Sequence, residues 1–297
     1  MPLRRVLLFF MTAIAVLAPR VARADIARPV VDQRLANGMR LIVSPDPGAA
    51  DVTVHLRYDT GSRDEPPGLE GMAHLVEHLM FLGTRHAPGN SVFQLLERAG
   101  ATNINGTTSS DATTYYETLP PERLELALWL ESDRMAHALR DVDAAKLDTA
   151  RAEVQNEHQM RVASQPLGAL HPYTHAALFP SWHPYAYLPV GTLASIQRIT
   201  AADARAFANT WYGPDNATLV ITGKVDPSTA RALAEKYFGT LPRARRRSAP
   251  RSPRRRAWPR SSTSARASRT KRWSSRGSRH PSARPATRSS TSPLPSS

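Results

Sequence analysis

The chain has 297 residues, 41% of them hydrophobic, enough for one large domain or two modest ones with a buried core. Its formal charge of +14 is uneven: 17 of the 39 Lys and Arg residues lie at or beyond Arg243, where no Asp or Glu occurs, leaving 22 against 25 acidic residues in the body. The body is therefore slightly acidic, which argues against a nucleic-acid partner, and the absence of cysteine excludes disulfides and thiolate ligands, so any metal must be held by His and carboxylates.

Arg4 and Arg5, the apolar run over residues 6–18 and Ala22-Arg23-Ala24 have the order of a secretory signal cleaved after Ala24. The run is shorter than the ~20 residues a spanning helix needs. Residues 1–24 thus predict export, to a periplasm or the medium, with no stable membrane span. Residues 33–45 read as two strands joined at Asn37-Gly38. Residues 51–58 alternate Val52, Val54, Leu56 and Tyr58 as a third strand, and 61–68, bounded by glycines and holding two prolines, is a loop. Over 71–82, Met72, Leu75, Val76, Leu79 and Met80 recur at helical spacing, predicting one buried face and a second, polar one.

Residues 91–99 predict a helix stopped at Gly100, residues 102–119 a polar hairpin or pair of edge strands, and residues 121–137 and 143–162 long helices. A second unit follows, with helix 201–212, strand 217–223 and helix 227–237 ended by Gly239. Strands and helices interleave irregularly, which favours an α+β sandwich over a doubly wound parallel sheet. The folded domain is read as residues 25–242. After Pro242 the composition turns to Arg, Ser, Pro, Ala and Thr, with too few aliphatic side chains to offset ordering entropy, so residues 243–297 predict a disordered basic tail. That tail reads either as an arm for nucleic acid or lipid headgroups or, the preferred account, as the product of a shifted reading frame in a GC-rich gene.

His74-Leu75-Val76-Glu77-His78 places two imidazoles at i and i+4, one above the other on a helix, with a carboxylate beside them. Two His and one carboxylate are a standard catalytic zinc set with a fourth position open to water. Zn²⁺ lowers the pKa of that water toward ~7, and a carboxylate that is not itself a ligand can take its proton, the role for which Glu77 is spaced. The order H-x-x-E-H is the inverzincin signature. His55, His158, His171, His175 and His183 stand in no such pattern and read as packing or loop residues.

The run Gly71-Met72-Ala73-His74-Leu75-Val76-Glu77-His78-Leu79-Met80-Phe81-Leu82-Gly83-Thr84 resembles the active-site helix of the pitrilysin and insulin-degrading enzyme family, which includes the mitochondrial processing peptidases. Gly100-Ala101-Thr102-Asn103-Ile104-Asn105-Gly106-Thr107, followed by Asp111, Thr113 and Tyr115, resembles that family's substrate-pairing strand region. Val154-Gln155-Asn156-Glu157 resembles the segment that carries its third zinc ligand.

The resemblance implies a zinc endopeptidase with His74, His78 and Glu157 as ligands and Glu77 as general base. Glu153, one helical turn before Glu157 on the same face, is either the alternative ligand or a support for one. Implied too are a two-layer sandwich with a mixed, mostly antiparallel sheet packed by helices, and a peptide substrate that adds as a strand near Phe81, Asn103, Asn105, Gly106 and Thr107. The resemblance covers residues 33–242, one of the two homologous halves that active members combine, so a second half or subunit is the implied partner. A noncatalytic scaffold subunit is the alternative, against which stands the intact set of His74, Glu77 and His78.

Overall fold

In the computed structural model, residues 29–160, 164–168 and 170–244 are described; the signal-like segment 1–24 and the basic tail beyond Ala244 lie outside them. Hydrophobic alternation builds the sheet. β1 (Val31–Arg34) turns back through Gly38, whose φ of 95° suits glycine, into β2 (Arg40–Pro45). β3 (Val52–Tyr58), β4 (Thr102–Thr108), β5 (Thr113–Leu119) and β6 (Ala217–Gly223) complete six strands in the spatial order β1-β2-β6-β3-β5-β4. Among these, β2 and β6 run parallel and the other neighbours antiparallel.

Val52, Val54, Leu56 and Tyr58 of β3 are buried with Tyr115 and Leu119 of β5 and Leu219 and Ile221 of β6, whereas Thr53, His55 and Arg57 stay half-exposed. One face of the sheet is therefore covered and the other is not, as a two-layer sandwich requires. The covering layer comprises α1 (Met72–Phe81), α2 (Ser91–Arg98), α3 (Leu124–His137), α4 (Ala144–His158) and α8 (Pro227–Phe238), with α3 over β3, α8 over β2, and α1 between β4 and α4. α5 (Leu170–Leu178), α6 (Leu193–Arg198) and α7 (Ala201–Trp211) complete the described helices. None is long and apolar enough to cross a membrane.

The two-layer architecture and the mixed, mostly antiparallel sheet agree with the sequence expectation. Two local features lie beyond that expectation. The second face of α1 is polar but not exposed: His74 and Glu77 are each 7% exposed, because that face looks into a cleft between the sheet edge and α4. α5 and α6 carry no apolar periodicity in the sequence: Leu170, Tyr173 and Leu178 of α5 are exposed, and in α6 Ile196 is buried while Leu193 is exposed. The helix expected over 143–162 is described to His158, capped at its start by the Asp143 side chain, and residues 161–163 lie outside the described set.

Candidate active site

Helix geometry stacks His74 and His78 on α1, with ring centroids 4.8 Å apart. The packing of α4 against α1 then brings Glu157 to both: its Oε2 lies 3.2 Å from His74 Nε2 and 3.3 Å from His78 Nε2. Donors about 2.0–2.1 Å from a tetrahedral zinc stand ~3.3 Å from one another, so the three side chains present fit that ion. Glu153 takes the other side of His78, with its Oε2 3.0 Å from Nδ1. A carboxylate there fixes the ring's tautomer and leaves Nε2 free for a metal. The geometry separates the two glutamates that sequence spacing left open.

Burial works to lower the His78 pKa, but its contacts with Glu157 and Glu153 outweigh that and raise it. The two carboxylates thus shift His78 toward its charged form, and a cation bound by its Nε2 would compete with that proton. Glu77 is buried beside the pair without joining it. Burial raises its pKa, while a hydrogen bond from Thr108 Oγ1 to Glu77 Oε2, 2.5 Å, works the other way. A carboxylate held upward in this manner is better matched to accepting a proton near neutrality.

Thr108 and Glu65 are the residues that sequence reasoning missed. Thr108 closes β4 immediately after the segment singled out. Glu65, in the loop before α1, accepts from the backbone N–H groups of Gly71 and Ala73 at 3.0 and 2.8 Å, satisfying two of the donors that open the helix. It is buried, and that burial pushes its pKa up to about 8 against the two hydrogen bonds. An acidic residue four places after Gly61, inside the Gly-bounded loop that leads into an amphipathic helix, is the available signal.

Of the residues expected to meet substrate, Phe81 and Asn105 line a cavity of about 230 Å³ with Glu77, His78, Asn90 and Glu153. Gly106 closes on it: a Cβ there would stand 2.8 Å from Phe81 Cε2 and 3.1 Å from Glu77 Oε1, so only glycine lets β4 approach the helix. Phe81 is wedged, stacked 5.0 Å from Phe93, with the buried Arg134 guanidinium 4.9 Å from its ring. Asn103 and Thr107 do not reach this cavity. Asn103 is exposed at φ 52°, where the β4–β5 register shifts, and Thr107 bonds Thr114 through its hydroxyl at 2.7 Å. β4 pairs with β5 alone among the described strands, so its other edge is open. A larger cavity of about 410 Å³, bordered by Met135, Arg140, Arg205 and Tyr212, holds no His or carboxylate.

The sequence matches the profile of insulinase (peptidase family M16) over residues 40–181 and that of the peptidase M16 inactive domain over 198–272, the second running into the basic segment. It is 29% identical over 209 residues to the zinc protease PqqE of Helicobacter pylori, covering 70% of this chain and 46% of that protein. It is 31% identical over 209 residues to the beta subunit of the mitochondrial-processing peptidase of Blastocladiella emersonii, covering 70% and 44%. A crystal structure of a protease from Helicobacter pylori superposes with a TM-score of 0.70 at 26% identity, over 75% of this chain and 53% of that one. The first half of the periplasmic protease PqqL from Escherichia coli gives 0.67 at 27%, over 74% and 48%. The chain spans about half the length of the curated relatives it matches. Two family matches, together spanning nearly all of the described fold and including the H-x-x-E-H helix, show that the chain belongs to the insulinase family of zinc peptidases, peptidase family M16.

Proposed function

We propose that this chain is the zinc-binding, catalytic half of an endopeptidase that hydrolyses extended peptides, with His74, His78 and Glu157 holding Zn²⁺ and Glu77 as general base. The observation that carries the reading is the convergence of three donor atoms beside a buried carboxylate that is not among them. Zinc bound there would polarise the scissile carbonyl and acidify the attacking water. Glu77 takes the proton of that water and returns it to the leaving amine. Thr108 holds the Glu77 carboxylate in place for both transfers. Glu153 keeps His78 oriented. The open edge of β4 pairs with the substrate main chain, so recognition rests on an extended shape more than on side-chain identity, with Phe81, Asn105 and Gly106 nearest the reacting bond. Asn103 and Thr107 take part only through the strand they belong to.

A second homologous half, in a longer polypeptide or a separate subunit, completes the substrate chamber; the half-length match to the relatives supports this. Export to the periplasm is part of the proposal, supported by the signal-like segment and by the likeness to a protease described as periplasmic. The test is zinc content and cleavage of an unstructured peptide by the purified chain. About one zinc per chain, lost in His78→Ala, with slow cleavage that a second half accelerates, is the expected result. Zinc content near zero would defeat the metal assignment, and rapid chelator-sensitive cleavage by the chain alone would defeat the need for a second half.

A further inference from the structure

The loop 82–90 that follows α1 brings a second set of metal-ligating side chains together. His86 of this loop meets Asp133 and His137, which stand one turn apart on the same face of α3. His86 Nδ1 lies 2.5 Å from Asp133 Oδ1, and His137 Nε2 lies 3.9 Å from the same oxygen. One donor atom from each residue falls within 4.8 Å of the other two. The two imidazoles cross nearly at right angles, with centroids 5.0 Å apart.

The His137 ring is the independent observation. Its Nδ1 is buried and hydrogen-bonds to no described residue, and its Nε2 stops beyond hydrogen-bonding distance of Asp133. Interior polar atoms are nearly always satisfied, so the buried Nδ1 lacks a partner, and the ring, a quarter exposed, turns its Nε2 toward Asp133 without bonding it. Asp133, by contrast, is fixed in advance: Thr84 Oγ1 donates to its Oδ2, and the same hydroxyl accepts from the His86 and Ala87 backbone N–H groups at 3.1 and 2.9 Å. This is the outer support that orients a metal ligand. The His86 side chain is half-exposed, which gives an ion access.

We propose that His86, Asp133 and His137 form a second divalent-cation site, distinct from the His74–His78–Glu157 centre. Two imidazoles and one carboxylate select a zinc-class transition metal over Ca²⁺ or Mg²⁺, which want more oxygen donors. Donor separations around tetrahedral zinc are ~3.3 Å. The observed 2.5 and 3.9 Å bracket that value, so small ring rotations complete the site. Arg85 and Arg140 stand nearby and oppose a cation; Asp141, 3.3 Å from Arg85, offsets one of them. A cation here clips the loop to α3, and the far end of that loop, Asn90, lines the cleft with Glu77 and Phe81.

The test uses the full chain, without a histidine tag, carrying His74→Ala and His78→Ala so that the first centre cannot bind. Titration with Co²⁺, read by calorimetry and by visible absorption, is expected to show about one remaining equivalent. Adding His86→Ala or His137→Ala should weaken it at least ~10-fold. Circular dichroism of the His86→Ala form, a half-exposed position, separates lost binding from lost folding. No Co²⁺ bound by the His74→Ala/His78→Ala chain would overturn the proposal, as would binding indifferent to His86 and His137. Because the first centre is removed throughout, neither result depends on how that centre is read.

Discussion

Replacing Glu65 by Gln tests whether a buried carboxyl outside the zinc motif anchors the helix that carries that motif. Burial pushes the native carboxyl up to about 8, well above the usual carboxylate range, so the folded state prefers it protonated near neutrality. A folded pKa above the unfolded one means that this group's stabilising share is complete below pH ~4.5 and is lost as pH rises toward 8. At 1.36 kcal/mol per unit the span sets an upper bound of about 5 kcal/mol, and ~2–5 kcal/mol is the expected range. Gln cannot titrate, and its amide presents a donor to one of the Gly71 and Ala73 N–H groups. Near pH 5 the variant should therefore be less stable by ~1–3 kcal/mol, one bond lost and one buried donor orphaned.

The stability deficit of the variant should shrink, or invert, by ~2–5 kcal/mol between pH 5 and 8.5. Urea unfolding followed by tryptophan fluorescence in the presence of chelator measures it, since other titrating groups cancel in the difference. A deficit constant to within about 0.5 kcal/mol over that range would refute the burial argument.

Gly106→Ala would push a methyl against Phe81 and Glu77, and Phe81 cannot withdraw past Phe93, so ~1–3 kcal/mol and a melting temperature lower by ~3–10 °C are expected. An unchanged melting temperature would mean the cleft opens freely. Thr108→Val removes the hydrogen bond that lowers the Glu77 pKa, so the acidic limb of the kcat/KM profile for peptide cleavage should move to higher pH while zinc content holds. A limb that stays in place, or a loss of zinc, would count against Thr108 acting through Glu77. Glu157→Gln should cost far more zinc affinity than Glu153→Gln, whose loss should be ~10–100-fold. Equilibrium dialysis decides between them, and a reversed order would exchange their roles.

The sequence by itself determined whatever local geometry controls. The i, i+4 spacing of His74 and His78 stacks two imidazoles wherever that helix lies, and alternation in Val52–Tyr58 makes a strand with one buried side. The recognisable motif around them gave the fold class, and Ala217–Gly223 emerges as a strand over the residues expected. Tertiary structure decided the rest, because the rest depends on distances between segments remote in the chain. Glu153 and Glu157 share a helix face, and only the docking of α4 on α1 gives Glu157 both Nε2 atoms and Glu153 the far side of His78. The irregular register between Thr102 and Asn105 sets which β4 side chains face the helix, bringing Thr108 to Glu77 and leaving Thr107 on Thr114. Glu65 sits in a stretch that reads as a solvated turn, and only its burial against the first turn of α1 and Tyr187 turns it into an anchor. Local periodicity fixes which way a side chain leaves its own element; what it meets is settled by packing.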